Sequence, residues 1–244
     1  MVLPIESSAD SPPVAAPPAG PAHRYERKFL VGDVDTAWAL SVLRCHPAMF
    51  REAYPPRWVN NLYLDTPDLR NYEDNLIGRG QRLKVRARWY HALYGLVAEP
   101  VLEFKVKRGV VGVKETFDLP PLQVSPAFSD LVFRSWLRNS PIPQEVLARL
   151  EGLRVALVNR YFRRYFVTPD GRFRITVDEH LVYQGIGRQG ARLARALEDH
   201  QAIVVELKYE MAHERQAHAI ASSFPFRPTR SSKYVMGIER VYQM

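Results

Sequence analysis

Basic and apolar residues alternate along the segment RLKVRARWY. Its cations occupy every second position, at Arg82, Lys84, Arg86 and Arg88, and apolar residues stand between them. Successive side chains of a strand point to opposite faces, whereas a helix would scatter these four residues around its circumference. The pattern therefore predicts a strand with one basic face. Such a face needs an anion.

The same alternation recurs in four more segments, each with one charged or polar stripe. The stripes are Glu103, Lys105 and Lys107; Tyr161, Arg163 and Tyr165; Arg172, Arg174, Thr176 and Asp178; and Glu206 with Lys208. An antiparallel sheet with one face in water would explain any single stripe. The set is different because Arg and Lys dominate it, and like charges on neighbouring strands repel. If the strands are neighbours, a closed barrel whose polar lumen binds a polyanion is the simplest arrangement.

The rest of the pattern predicts further strands and short helices. Strands are expected at 24–31, 58–66, 101–108, 113–119, 155–168, 172–182 and 202–209. Helices are expected from a cap at Asp33 or Asp35 to about residue 47, and over 66–76, 128–137, 144–150, 213–222 and 232–242. The stretch 185–200 is weakly patterned and is expected to be loop or helix. The sequence thus predicts an α+β fold rich in antiparallel strands.

Composition fits one β-rich domain with an anionic partner. The chain has 244 residues, 46% of them hydrophobic, and 34 Lys and Arg against 26 Asp and Glu give a net charge of +8. We expect residues 1–22, rich in Pro and Ala, to be a disordered tail and 23–244 to form the domain. No apolar run approaches the roughly 20 residues that span a bilayer, and the pattern of a signal peptide is missing. Cys45 is the only cysteine, which fits a reducing compartment, so a cytoplasmic location is predicted.

Eight motifs along the chain carry a family resemblance. They are, in order, RYERKF, NLYLDT, RLKVRARWY, LEFKVKRG, NRYFRRYF, RFRITVDEHL, VVELKYE and RSSKYVMGIE. This series resembles the VTC domain, the polyphosphate polymerase branch of the triphosphate tunnel metalloenzymes, from about residue 24 to residue 239. The resemblance implies an eight-stranded antiparallel β-barrel tunnel with flanking helices. Its basic lumen would hold triphosphate or polyphosphate, with Mn²⁺ or Mg²⁺, and the γ-phosphate of ATP would pass to a growing polyphosphate chain.

The resemblance, together with the basic stripes, assigns expected roles to individual residues. The expected catalytic residues are Arg86, Arg88, Lys105, Arg163 and Arg174. The expected substrate-binding residues are Lys28, Arg82, Lys84, Lys107, Lys114, Tyr161, Lys208, Arg230, Ser232 and Lys233. Glu206 is the expected metal ligand. The chemistry suits phosphoryl transfer, because Arg binds phosphate oxygens bidentately and the reaction needs cations and a divalent metal to offset charge.

Two features depart from the wider superfamily. Hydrolase relatives open with two glutamates and a lysine at alternate positions, whereas this strand has Arg24, Glu26 and Lys28. Loss of the first carboxylate weakens the case for a hydrolase that uses a second metal. Arg230 stands where the family has a basic residue before the SKY element, which keeps the charge but changes the donor geometry.

Several alternatives stay open at this point. A tripolyphosphatase or a non-catalytic polyphosphate-binding module would use the same cradle. A nucleic-acid binder is disfavoured because Leu, Val and Ala, rather than exposed aromatic residues, alternate with the cations. Glu206 and Lys208 could be a simple charge pair, and Tyr161 could be a core aromatic residue. Glu103 could serve to orient Lys105. Asp178 could orient Arg174 or bind a second metal. No zinc site is predicted, since His213 and His218 lie five apart.

Overall fold

The computed structural model describes residues 24–32, 35–109, 111–187 and 192–244. The strands are β1 (Arg24–Val31), β2 (Arg51–Asp65), β3 (Gln81–Tyr90), β4 (Gly95–Val97), β5 (Val101–Arg108), β6 (Val111–Asp118), β7 (Leu122–Val124), β8 (Arg154–Val167), β9 (Arg174–Gly185), β10 (Leu197–Asp199) and β11 (Ile203–Glu210). The helices are α1 (Thr36–Arg44), α2 (Arg70–Leu76), α3 (Asp130–Arg138), α4 (Gln144–Leu150), α5 (Glu214–Ser222) and α6 (Lys233–Tyr242). The α+β class with antiparallel strands is therefore as predicted.

Eight strands form one continuous antiparallel sheet. Their order is β1, β11, β9, β8, β2, β3, β5, β6, with β10 added beside β9, and β4 pairs separately with β7. Within the described ranges no ladder joins β1 to β6, so the structure does not confirm the predicted closure of the barrel. The sheet is nevertheless strongly curved. Lys105 Nζ on β5 lies 3.2 Å from Glu26 Oε1 on β1, although these strands are near opposite edges.

The curvature gives the sheet an inner face and an outer face of opposite chemistry. On the outer face, Val85, Leu102 and Phe104 pack against residues of α3 and α4. Farther along the sheet, Ile175 and Leu207 pack in the same way against α1 and α5. The apolar stripes of the alternating strands therefore face the covering helices. The charged stripes of the same strands are left facing inward.

Helix α6 packs against the inner side of β8 and β9. Its Tyr234 and Ile238 are buried in a cluster with Leu157 and Tyr183. Ser232 caps the helix by accepting a hydrogen bond from the backbone N–H of Val235. The start of α6 thereby lies beside the charged inner face.

Some elements differ from the predictions. Strand β2 begins at Arg51 rather than at residue 58, and its register with β8 shifts around Pro55 and Pro56, which have no N–H to donate to the ladder. The short strands β4, β7 and β10 were not predicted, and β10 lies within the stretch 185–200. Asp35 caps α1. Asp33 and the predicted tail 1–22 lie outside the described residues.

No helix among the described residues is both long enough and apolar enough to cross a bilayer.

Gly237 provides a test of how tightly α6 packs on the sheet. A Cβ atom at this position would overlap the side chains of Leu157 and Tyr183. We expect Gly237→Ala to lower the free energy of unfolding by about 1–3 kcal/mol through overpacking, although Ala is the better helix former. Urea denaturation measures the change. Gly80→Ala is the control, because a Cβ atom at that position meets nothing within 4 Å. Equal stability of wild type and Gly237→Ala would contradict the close packing of α6 on the sheet.

Candidate active site in the basic interior

Glu206 lies at the centre of four cations on the inner face of the sheet. Its carboxylate oxygens are 3.1 Å from Lys208 Nζ, 3.4 Å from Lys28 Nζ, 3.6 Å from Lys233 Nζ and 3.8 Å from an Arg163 nitrogen. Burial on its own would raise the pKa of Glu206, but Lys28 and the other cations hold it well below its usual range. The same carboxylate raises the pKa of Lys28 against the effect of burial. Glu206 is therefore an anion that links β1, β8, β11 and α6.

Asp178 fixes the position of Arg163 in the same cluster. Arg163 donates two hydrogen bonds to this carboxylate, at 2.5 and 2.7 Å, and Lys233 Nζ lies 2.5 Å from it. Asp178 is fully buried, which would raise its pKa, but Arg163 and Lys233 lower it. Asp178 thus orients Arg163 and Lys233. The structure contradicts its expected pairing with Arg174, since Arg174 has no ion pair among the described residues.

Glu103 forms a second inward-facing centre across β3, β5 and β6. Its carboxylate is 2.5 Å from Arg86, 2.7 Å from Lys114 and 3.5 Å from Arg88. These cations lower its pKa although burial would raise it. The expectation that Glu103 orients Lys105 is wrong. The two side chains lie two residues apart on one strand and project in parallel, whereas Arg86 and Lys114 reach the Glu103 carboxylate from the neighbouring strands. Lys105 instead meets Glu26.

Polar residues of β2 support the two arginines of β3. Tyr63 accepts a hydrogen bond from Arg86 at 3.3 Å, and Asn61 accepts one from Arg88 at 3.0 Å. Asn61 in turn donates to the buried Asn159. The sequence analysis did not select these residues. Their signal was the alternation of Asn61 and Tyr63 within NLYLDT, which places both on one face of a strand next to the basic one.

A cavity of about 700 Å³ opens at the end of the inner face where β3 begins. The predicted residues that line it are Lys28, Arg82, Lys84, Lys107, Arg230 and Ser232, together with Glu26. Lys84 Nζ donates a hydrogen bond to Ser232 Oγ at 2.8 Å and has no carboxylate within ion-pair distance in the described structure. Burial, helped by Lys28 and Lys105, lowers the pKa of Lys84 to about 7.

The structure brings most of the predicted site residues onto one surface. Tyr161 is buried with its ring 5.1 Å from the Arg163 guanidinium and 5.0 Å from Lys233 Nζ, so it belongs both to the core and to the border of the cluster. Arg174 lies apart from these ion pairs, opposite Lys208 on β11. The roles expected for these residues remain predictions.

Glu26 and Glu206 are two carboxylates of the inner face that could hold a metal ion. One oxygen of each lies 3.4 Å from Lys28 Nζ, on neighbouring strands. No group of three or more His, Cys, Asp and Glu suited to a metal occurs in the described ranges. Two carboxylates fit Mg²⁺ or Mn²⁺, because such ions take their remaining ligands from water and from substrate phosphates.

Comparison with known families identifies the class of the protein. The model of the VTC domain matches residues 23–242. The chain therefore belongs to the VTC domain family. A comparison with curated proteins found no match.

Three solved structures are similar to this chain over most of its length. A candidate adenylate cyclase from Vibrio parahaemolyticus is 12% identical, over 87% of this chain and 97% of its own, with a TM-score of 0.46. The PH1819 protein from Pyrococcus horikoshii is 15% identical over 88% and 99%, with a TM-score of 0.46. HpAC1, a candidate adenylyl cyclase from Hippeastrum described as having dominant triphosphatase activity, is 14% identical over 89% and 97%, with a TM-score of 0.47. The family assignment rests on the domain model alone.

The pairing of Glu26 predicts a loss of stability in acid. Burial would raise its pKa, but Lys28 and Lys105 lower it from 4.5 to about 2. A carboxyl with a lowered pKa in the folded chain stabilises the fold above its unfolded pKa and loses that contribution as pH falls through the folded value. The free energy of unfolding should therefore decrease between about pH 4.5 and pH 2.

Urea denaturation at a series of pH values measures this loss. Glu26→Gln should show a shallower decrease than wild type over that interval, because the variant has no carboxyl to protonate at this position. Glu198→Gln, a change at an exposed carboxylate, is the control and should follow wild type. Equal slopes for wild type and Glu26→Gln would contradict the assigned pairing.

Proposed function

We propose that this protein is a metal-dependent polyphosphate polymerase that transfers the γ-phosphate of ATP to an inorganic polyphosphate chain inside a basic tunnel. One observation carries the proposal: within the described residues, the inward-facing cations far outnumber the carboxylates that neutralise them. The cations are Lys28, Arg82, Lys84, Arg86, Arg88, Lys105, Lys107, Lys114, Arg163, Lys208, Arg230 and Lys233, and the carboxylates are Glu26, Glu103, Asp178 and Glu206. A bound polyanion would supply the missing negative charge.

Membership of the VTC family supports polyphosphate as the polyanion. A linear polyphosphate also matches the shape of the site, since the cations follow the strands from the cavity to the Arg163 cluster. Closure of the curved sheet into a tunnel is part of this proposal. A cytoplasmic location is also part of it, because ATP is the proposed donor.

The guanidinium groups are proposed to hold the transferring phosphate. Asp178 fixes Arg163, while Glu103 and Tyr63 fix Arg86, so both cations are oriented before a substrate binds. Donors that are already oriented stabilise developing charge without reorganisation during the reaction. Lys233 and Ser232 at the start of α6 would contact phosphate from the opposite side, and Arg88, Lys105 and Arg174 would extend the cradle.

Glu206 and Glu26 are proposed to hold the metal ion. A bound Mn²⁺ or Mg²⁺ would neutralise phosphate charge and help to align donor and acceptor. Glu206 is already surrounded by Lys28, Lys208 and Lys233. Substrate phosphates would draw these ammonium groups toward themselves, which would free carboxylate oxygens for the ion. Substrate is therefore expected to bind to the cations without the metal ion and to strengthen the binding of that ion.

A tripolyphosphatase is the second candidate function. It is favoured by the second carboxylate, Glu26, which the structure places beside Glu206 through their shared contact with Lys28. Hydrolysis and polymerisation use the same phosphate cradle and differ in whether water or a phosphate oxygen attacks. The products separate the two functions, since a polymerase forms ADP and polyphosphate whereas a hydrolase releases free phosphate.

Turnover should depend on Glu206. With ATP and Mn²⁺, we expect wild type to form ADP and long-chain polyphosphate, and Glu206→Gln to be slower by about 100-fold or more, because the metal contributes several kcal/mol to transition-state stabilisation. Arg86→Ala and Arg163→Ala should fail similarly. Simultaneous assays of ADP, free phosphate and polyphosphate measure the outcome.

Glu115→Gln is the matched control for this experiment. Glu115 lies on β6 but pairs with Arg149 of α4 on the outer face, so the variant should retain wild-type turnover. Free phosphate as the sole product in wild type would favour the tripolyphosphatase. If Glu206→Gln, Arg86→Ala and Arg163→Ala all kept full turnover while remaining folded, the assignment of the active site to this cluster would be wrong.

Lys84 should make phosphate binding sensitive to pH. Because its pKa is lowered to about 7, Lys84 loses its charge as pH rises above neutrality, and the cradle loses a cation. We expect affinity for tripolyphosphate to fall between about pH 6.5 and pH 8. Lys84→Arg keeps the positive charge over this interval, so its affinity should fall less. Calorimetric titrations at each pH compare the two proteins, and parallel pH profiles would show that Lys84 is not the titrating group.

A further inference from the structure

A tyrosine follows the last inward-facing arginine of both β3 and β8. Tyr90 follows Arg88 and Tyr165 follows Arg163, each two residues farther along its strand. Side chains two apart on a strand share a face, so both tyrosines continue the inner face. Tyr90 is 36% exposed. They lie toward the end of β3 opposite the cavity, whose lining includes Arg82 and Lys84 at the start of that strand.

Arg57 joins the two tyrosines into one group. Its guanidinium carbon lies 3.9 Å above the centre of the Tyr90 ring and 5.4 Å from that of Tyr165, and its Nε donates a hydrogen bond to the Tyr165 hydroxyl at 3.0 Å. Tyr54, also exposed, packs edge-on against Tyr165 at 5.8 Å between ring centres. The result is a partly exposed stack of a guanidinium and aromatic rings.

No carboxylate in the part of the chain that the structure describes balances the charge of Arg57. Its strand neighbour in the register is another arginine, Arg163, whose Nε and one terminal nitrogen donate hydrogen bonds to Asp178. Like charges opposite each other on neighbouring strands repel. Among the described residues, Arg57 forms no ion pair, so the faces of Tyr90 and Tyr165 are its main compensation. This arrangement leaves a planar cation and an aromatic face available to a ligand.

Such a group suits a flat, π-rich ligand. Nucleobases stack on tyrosine and arginine planes, and every base offers a π-face. The group is also close to the phosphate cradle, because residues two apart on a strand are separated by about 7 Å, which is the spacing between Arg163 and Tyr165. A nucleoside triphosphate held by Arg163 through its phosphates would carry its base toward these tyrosines.

We propose that Arg57, Tyr90 and Tyr165 form the binding site for the nucleobase of the phosphate donor. The inference rests on the proposed function, since it places a triphosphate in the basic interior. It goes further by locating the base of that donor at the tyrosine end, which orients the nucleotide in the basic interior. The competing explanation is that the tyrosines only support Arg57 as one more phosphate-binding cation.

Two ligands distinguish these explanations. ATP and inorganic tripolyphosphate both carry three phosphates, but only ATP has a base. Their affinities are measured by calorimetry in the presence of a chelator, so that no turnover occurs, for wild type, Tyr90→Ala and Tyr90→Phe. We expect Tyr90→Ala to weaken ATP binding about tenfold and tripolyphosphate binding less than about twofold, because only the base loses a stacking partner. Tyr90→Phe keeps the ring and should restore ATP affinity.

The outcomes separate this inference from the proposed function. An equal loss of affinity for both ligands in Tyr90→Ala would overturn the base site and favour support of Arg57. Unchanged affinity for both would overturn it as well. If wild type bound neither ligand, the proposed function would fail and the base site with it. Circular dichroism checks that Tyr90→Ala is folded, and Tyr165→Ala, which removes the second ring of the proposed site, provides a second variant with the same expected selectivity.

Discussion

The structure depends on neutralising the many cations that the curved sheet places on its inner face. Each buried carboxylate contacts cations from different elements: Glu103 connects β3 and β6, Asp178 connects β8 and α6, and Glu206 connects β1, β8, β11 and α6. Removing one partner of a buried ion pair leaves an uncompensated charge, which costs far more than an exposed pair contributes. The carboxylates therefore determine where the cations can stay close together without a ligand.

This requirement explains why the apolar residues lie on the outside of the sheet. An ordinary sheet packs its apolar face on a core and leaves its polar face in water. Here α1, α3, α4 and α5 cover the apolar face, which frees the inner face for charge. Helix α6 is the exception, because Tyr234 and Ile238 fill part of the interior with a small apolar cluster. The same helix begins with Ser232 and Lys233, so the packing that closes one part of the interior also supplies groups to the charged part.

Prediction from the sequence succeeded for features that depend on the alternation of residues along one strand. It failed for features that depend on how distant strands are placed relative to one another. The basic stripe of β3 and the hairpin of β8 and β9 follow from period-two patterns, and the family resemblance added Glu206 and Lys233. The partner of Lys105 could not be predicted, because Glu26 reaches it only when the two edges of the sheet curve together. Strands as short as β10, with three residues, have no recognisable period. Closure of the barrel is likewise a property of the whole sheet and not of any segment.

The two ends of the basic interior differ in chemistry, and that difference gives it a direction. Lysine, arginine and serine line the cavity where β3 begins, whereas Tyr90, Arg57 and Tyr165 lie where it ends. A chain of identical phosphates would bind such an interior in either orientation. A nucleoside triphosphate with its base at the proposed tyrosine site would not, because its phosphates would then run from that end toward the cavity that Lys84 and Ser232 line. With the donor oriented in this way, an acceptor chain would meet the γ-phosphate from the side of the cavity, in line with the bond that breaks.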